Sequence, residues 1–494
     1  MAVRIDNPVR SAGVATACMV CALGMLVLSF QLAPREGDID DFVQEWTSAR
    51  NHLHGRAVYE DLHLSVEREF GPELADILPN QYNGHPPVGI LAAVPLGSLP
   101  YRTAHLVWNV LSLTALAIAL WLILGRVGLG LPASAWAFVG AVLLWSTPLA
   151  RQVVAGQPNL ILLMLIAAGW AAMRHRRDGL AGVFLGTAAA FKLFPAFLFL
   201  YPLLQRRWRV IVAGGAAFLA LNVVAASVLG PNVFFDFVTL VLPDLRKSQD
   251  WWLNFSLTGF SRKLFYVTSG HSVALWQNRI VCYTLIGVGT LAVIAAAAWK
   301  VRFAARQTAL AAEADGRPDA ELPQDVAFAT CMLANLLVSP ITWDHYFVLL
   351  LLPILIFWKS TTSIGQRAFL LTCSLLLAIN VQWIWNPMIV GEHELAYLWG
   401  GAQSVATPLQ AITLLSYPFY TMLALFVFGL TRSGRAVETS SSGAARHPHS
   451  HNNGKTVRKS RNASFQRPER SDNRQPPQRQ PNSVASPSQA QTSE

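Results

Sequence analysis

RHRRDGLAGVFLGTAAAFKLFPAFLFLYPLLQRRWR, residues 174–209, governs how the rest of the chain is read. An apolar run from 179 to 204 lies between two cationic clusters, Arg174-His175-Arg176-Arg177 and Arg206-Arg207-Trp208-Arg209. Loops rich in Lys and Arg stay on the cytoplasmic side of membrane helices. Both ends of the run are then cytoplasmic, so it is not a single crossing, although its length would suit one. Phe191-Lys192-Leu193-Phe194-Pro195 interrupts it with a charge and then a helix breaker. The run reads as two short helices meeting at Lys192, placed at an outer turn or deep in a cavity. Broken helices with a polar residue at the break are where membrane proteins build binding sites.

Working outward, similar apolar runs recur near 11–33, 103–124, 131–148, 159–173, 208–228, 276–299, 325–341, 344–359, 366–385 and 405–430. The expected fold is all-α, a polytopic transmembrane body over 1–430 with roughly 12 crossings. Hydrophobic residues make up 53% of the 494-residue chain and charged residues only 13%, about half the charge of a soluble domain. Sixteen tryptophans fit interfacial belts. The run Pro86–Pro100 is short and rich in Pro and Gly, and counting it as a crossing would put Arg174–Arg177 outside. It is assigned to the first outward loop, about 34–102, which holds eleven acidic and five basic residues. A second outward loop, about 230–275, carries Arg246, Lys247, Arg262 and Lys263. The segment around Glu392-His393-Glu394 is also expected outside. The first run is too long for a signal peptide and is read as a retained helix.

The net charge of +10 does not point to nucleic acid. Residues 431–494 hold eleven Lys and Arg against four Asp and Glu, so most of the surplus sits in a basic, compositionally disordered cytoplasmic tail. The five cysteines lie in apolar stretches, and Cys18 and Cys21 have no second pair or histidines beside them. They read as small buried hydrophobes. No phosphate loop, H-E-x-x-H, nucleophile elbow or dinucleotide fingerprint occurs. No metal-ligand spacing appears, and the expectation is a metal-independent protein without cofactor.

What stands out is a set of polar residues in separated segments that the topology sends to one side. They are Asp38, Asp40 and Asp41 after the first run; Gln157 and Asn159; Lys192; Arg262; and Trp343-Asp344-His345-Tyr346. Each has a plainer reading. The aspartates would complement a helix dipole. Gln157, Asn159 and Asp344 would cap helices. Arg262 would anchor at the interface. Convergence on one face argues for an outward cavity.

Asp41-Phe42-x-Gln44-x-Trp46-x-x-Ala49, His54-Gly55, Val58-Tyr59, His85-Pro86-Pro87 and Gly156-Gln157-Pro158-Asn159 follow one another in order. Gly182-Val183 to Lys192-x-x-Pro195, Asn254-x-Ser256-Leu257 and Ser339-Pro340-x-x-Trp343-Asp344-His345 continue the series. Their order and spacing, over about 37–353, resemble glycosyltransferase family 87, multi-spanning transferases of GT-C type. The family is similar to phosphatidylinositol-mannoside mannosyltransferases and arabinofuranosyltransferases of mycobacterial envelopes.

The resemblance implies a sugar on polyprenyl phosphate as donor and a glycolipid or glycan as acceptor, used at the outer face of the cytoplasmic membrane. It also implies a catalytic carboxylate in the first outward loop. Asp41 matches that position, with Asp40 and Asp38 as fallbacks. Lys192 and Arg262 are the candidates for the donor phosphate, with His345 assisting proton transfer. Gln157, Asn159, Asp344 and His85 are the candidates for sugar or acceptor. Mannose is the leading donor sugar. The rival class is a polytopic transporter or flippase of envelope glycolipids, but no internal repeat supports it.

Overall fold

The helix Asn159–Arg174 is apolar on every side and sits at the centre of the molecule, with 12 of its 16 residues buried. Leu322–Val338 is its counterpart, with 14 of 17 buried. At one end the two are joined by charge: Arg174 meets Glu321 at 2.8 Å and Asp325 at 3.2 Å, and Trp170 Nε1 donates to Asp325 at 2.8 Å. The computed structural model describes residues 8–35, 38–76, 81–129, 133–268, 272–314, 321–379 and 406–432. The chain divides into a unit over Met1–Val437 and a second over Glu438–Glu494, and every described residue lies in the first. Glu392–Glu394 and residues 433–494 of the basic tail lie outside the described residues.

Among the described residues the architecture is all-helical, with one isolated bridge between Ser272 and Ala406. Tyr101–Val127, Trp208–Leu229, Arg279–Leu310 and Pro408–Thr431 are long and apolar enough to cross a membrane. Ala135–Leu144 and Thr147–Val154 make a fifth candidate if that pair, bent by 46°, is one span. In Trp208–Leu229 and Arg279–Leu310 only 17% and 11% of the apolar window is buried in the protein. Apolar surface left bare on all sides of a long helix is surface made for lipid. The dozen crossings expected are not shown, because several apolar runs form helices of only 10–17 residues.

Residues 178–204 are broken where the sequence reading put the break. Asp178–Phe191 ends at Lys192, whose backbone is extended (φ −141°, ψ 137°), and a 3-10 turn, Phe194–Phe199, follows with Pro195 near its start. At the opposite end the cationic turns reverse the chain through Arg176 and Arg206, each at φ 56°. Arg207 pairs with Asp178 across the two turns. The helices Asp178–Phe191 and Trp208–Leu229 pack backbone to backbone. A Cβ on Gly186 would fall 2.2 Å from the Gly214 carbonyl oxygen, so only glycine permits this approach.

The stretch 34–102 holds its own helices. Phe42–Leu53 buries Phe42, Val43, Trp46 and Ala49, and Trp46 Nε1 donates to the Leu99 carbonyl at 3.1 Å. Pro86–Pro100 forms the helix Pro87–Ala93 and a 3-10 turn, Val94–Ser98. Those 12 residues are too short for the roughly 30 Å of a hydrocarbon core.

Candidate functional site

Gly156 is where the first loop locks onto the body. It adopts φ +61°, and a Cβ there would lie 2.7 Å from Phe42 Cβ. The Phe42 amide donates to the Ala155 carbonyl at 2.9 Å. That contact uses the first amide of the helix Phe42–Leu53, and Asp41 at its cap makes no side-chain capping bond. The Asp41 carboxylate points instead into a cavity of about 710 Å³.

The cavity wall is drawn from 41–44, 81–86, 151–157, 192–194, 237–253 and 339–346. Of the residues expected from sequence, Asp41, His85, Gln157, Lys192, Asp344 and His345 all line it. Gln157 is the joint between them. Its Nε2 donates to Asp41 Oδ2 at 3.0 Å, and its Oε1 accepts from Lys192 Nζ at 2.8 Å. An amide between a donor-only ammonium and an acceptor-only carboxylate has one satisfied orientation. Lys192 also lies 4.6 Å from the Tyr346 ring centre, a cation–π contact. Asn159 is fully buried behind this array, 3.4 Å from Lys192 Nζ, and donates to Gln152 Oε1 at 3.0 Å. The capping readings of Gln157 and Asn159 do not describe their contacts.

The remaining candidates are placed differently. Asp40 does not line the cavity, and its Oδ1 accepts from the Asp41 amide at 2.8 Å. Asp38 is exposed. Arg262 is buried outside the wall, where it donates to the Arg246 carbonyl at 3.3 Å, Gln249 Oε1 at 3.1 Å and Thr268 Oγ1 at 2.9 Å. It braces the segment carrying Arg246, Gln249, Trp251 and Trp252, which do line the cavity. Asn254 ties the same segment to 339–346. It donates to Gln249 O at 2.8 Å and Pro340 O at 2.9 Å, and accepts from Ser256 N at 3.1 Å and Thr342 N at 3.0 Å.

Two charged residues were missed. Glu45, one helical turn after Asp41, is 2% exposed, and its Oε1 lies 3.0 Å from His85 Nδ1. Asn83 Oδ1 holds the same ring nitrogen at 3.1 Å. The i, i+4 spacing of Asp41 and Glu45 was the available signal. Arg151, one turn before Ala155, lines the cavity near Asp344; an arginine between apolar runs marks it.

Electrostatics distinguish the two carboxyls of the first loop. Burial, and then the neighbouring Asp40 charge, raise the Asp41 pKa to about 7, against the pull of Arg151, Gln157 and Lys192. Burial raises Glu45 further, to about 8. A carboxylate poised near neutrality is matched to accepting a proton there. Among the described residues no group of His, Cys, Asp and Glu is arranged to hold a metal ion.

The profile of glycosyltransferase family 87 matches residues 84–314. The chain is 28% identical over 273 residues to a polyprenol-phosphate-mannose-dependent alpha-(1-2)-phosphatidylinositol pentamannoside mannosyltransferase of Mycolicibacterium smegmatis, covering 54% of this chain and 58% of that protein. It is 26% identical over 244 residues to an alpha-(1->3)-arabinofuranosyltransferase of Corynebacterium glutamicum, covering 48% and 54%. A polyprenol-phosphate-mannose-dependent alpha-(1-2)-phosphatidylinositol mannoside mannosyltransferase of M. smegmatis is 24% identical over 430 residues, 83% and 88% of the two chains. The chain thus spans a little over half the length of the first two. Residues 84–314 are similar to glycosyltransferase family 87.

Proposed function

We propose that this protein is a membrane glycosyltransferase that moves a sugar, mannose before arabinofuranose, from polyprenyl phosphate to a glycolipid or glycan acceptor. The observation that carries this is the Asp41–Gln157–Lys192 array in the wall of the cavity, in a chain whose residues 84–314 match the model of glycosyltransferase family 87. Asp41 takes the proton of the acceptor hydroxyl as that oxygen bonds to the anomeric carbon. The bond from that carbon to the phosphate oxygen breaks, and polyprenyl phosphate leaves with the electron pair. Lys192 stabilises the departing negative charge. Gln157 keeps base and cation apart and in register. His85, Asn159, Asp344 and His345 hold sugar hydroxyls or assist the proton, and Asp40 orients Asp41 through its amide. Arg262 acts on the donor phosphate only through the loop it braces.

The cavity is assigned to the outer face of the cytoplasmic membrane, with both termini inside. Lys192 and Asn159 stand at the ends of their helices opposite to the cationic turns at Arg174–Asp178 and Arg206–Arg209, which supports that orientation. No metal is required: EDTA leaves activity intact, and a loss restored by Mg²⁺ or Mn²⁺ would contradict this.

The test is transfer of radiolabelled sugar from polyprenyl-phosphate mannose, and separately from polyprenyl-phosphate arabinofuranose, to a membrane glycolipid extract. Transfer from one donor, absent in Asp41→Asn, establishes the reading. No transfer from any polyprenyl-phosphate sugar would return the protein to the transporter class.

A further inference from the structure

Several arginines of this protein, Arg262 among them, leave a buried Nε without a hydrogen bond, but most hold other partners through the rest of the guanidinium. Arg262 makes the three hydrogen bonds given above, and Arg174 meets two carboxylates and the Arg126 carbonyl at 3.2 Å. Arg151 does not follow this pattern. Its Nε is buried with no hydrogen-bond partner, and the nearest carboxylate oxygen, Asp344 Oδ2, is 3.8 Å away. A guanidinium has five donors in a planar fork, and leaving even one unpaired when desolvated is costly. This one faces the cavity.

Beside it is a second unsatisfied group. His345 is 3% exposed, and neither ring nitrogen has a hydrogen-bond partner. Its amide is held by Asp344 Oδ1 at 2.7 Å, while Nδ1 stands 3.4 Å from the same oxygen. Asp344 is thereby shared between Arg151 and His345 and saturates neither. His345 is close enough to feel the charges of both Lys192 and Arg151. An anion beside His345 therefore meets Lys192 from one helix end and Arg151 from another element. Its oxygens supply the acceptors that Arg151 Nε and His345 lack, and its charge complements Lys192, whose ammonium already donates to Gln157, Asn159 and Tyr346.

We propose that Arg151 is a phosphate-binding residue of this cavity, its guanidinium fork engaging a phosphate oxyanion next to His345 and opposite Lys192. The inference rests on the polyprenyl-phosphate reading and deepens it by moving the second phosphate-binding cation from Arg262 to Arg151. Two lipids present such a phosphate: the polyprenyl-phosphate donor, and a glycolipid acceptor with a phosphodiester headgroup. An arginine fork pairs with two oxygens at once, and lysine does not reproduce that geometry.

The experiment uses the full-length protein in lipid nanodiscs. Binding of polyprenyl phosphate and of uncharged polyprenol is measured for wild type, Arg151→Gln and Arg151→Lys. KM for donor and KM for acceptor are measured separately. The expected result is that Arg151→Gln weakens polyprenyl phosphate by about 10–100-fold, as for loss of a charge-assisted hydrogen bond, and leaves polyprenol unchanged. Arg151→Lys, which keeps the attraction to Asp344, recovers only part of the loss. A rise confined to the donor KM assigns the phosphate to the donor, and a rise confined to the acceptor KM assigns it to the acceptor. Either assignment upholds Arg151. A folded Arg151→Gln with wild-type affinity and both KM values unchanged would overturn the proposal. So would equal losses for phosphate and alcohol, the mark of a purely structural tie. If Arg151→Gln does not fold, Arg151→Lys decides by the same ratio of phosphate to alcohol. Binding needs no turnover. A wild type that binds polyprenyl phosphate through Arg151 but transfers no sugar would refute the transferase reading and leave this one standing.

Discussion

Replacing Asp41 by Asn should abolish transfer and, at alkaline pH, stabilise the fold. The Asp41 pKa is raised from 3.8 to about 7, by burial first and by Asp40 second. For a carboxyl raised on folding, the native state pays for ionisation. That cost is fully present above the folded pKa and absent below the unfolded one. About three units correspond to at most about 4 kcal/mol. Asp41 is half-buried at an open cavity, and solvent relaxation there reduces this to about 1–2 kcal/mol. Apparent Tm, measured in detergent at one scan rate, should therefore rise in Asp41→Asn at pH 8 by about 2–4 °C. The gain should shrink towards zero as pH falls from 7 to 4. Wild-type transfer should climb about tenfold per unit of pH below about 7 and then level off, as the base ionises. At pH 8 the variant should lose about 100–10,000-fold, the usual worth of a positioned base, and the deficit should shrink as pH falls below about 7. An Asp41→Asn protein that transfers like wild type would refute the assignment of the base. A loss of Tm at pH 8 larger than at pH 5 would refute the electrostatics.

Four further variants probe the packing of the site and of the helices behind it. Gln157→Ala removes the amide between Lys192 Nζ and Asp41 Oδ2; loss of a buried hydrogen-bond partner, about 1–3 kcal/mol, should lower transfer by about 5–150-fold, read from kcat/KM, with the protein still folded. Gly156→Ala forces φ +61° on an L-residue and drives a Cβ to 2.7 Å from Phe42 Cβ. It should cost at least about 1–2 kcal/mol, lower Tm and cut transfer together, because Asp41 and Gln157 flank that contact. Gly186→Ala should lower Tm by pushing a methyl into the Gly214 carbonyl oxygen, about 1–3 kcal/mol. Gly215→Ala, where a Cβ meets nothing within 4 Å, should be nearly silent in the same thermal scan.

Much of the cavity lining was readable because the residues concerned are out of place in their surroundings. Lys192 stands between two apolar runs, and Pro195 follows it; the helix ends where that pair says it must. Asp41, His85, Gln157, Asp344 and His345 were gathered by motif order from segments up to 300 residues apart, and the cavity brings them together. Arg262 looked like a phosphate ligand because a cation in a long loop has no visible partner in one dimension. In three, the Arg246 carbonyl, Gln249 and Thr268 engage it. Glu45 and Arg151 were passed over for the opposite reason: each sits among residues that look structural, and only the packing of neighbouring elements turns them towards His85 and the cavity.

The sequence by itself determined that the chain is rich in apolar helices long enough for a membrane, with a break at Lys192 and a run of acidic residues after the first apolar stretch. Hydropathy and the placement of charge act through the solvent each segment meets, so they are local and can be read along the chain. What the tertiary structure decided is which polar groups saturate one another and which are left facing the cavity. Asp41 turns its carboxylate to Gln157 and caps no amide of its own helix, and Gln157 is oriented because Lys192 and Asp41 meet it from different elements. Hydrogen-bond satisfaction depends on distances of a few ångströms between residues far apart in sequence, and no pattern along the chain encodes those distances.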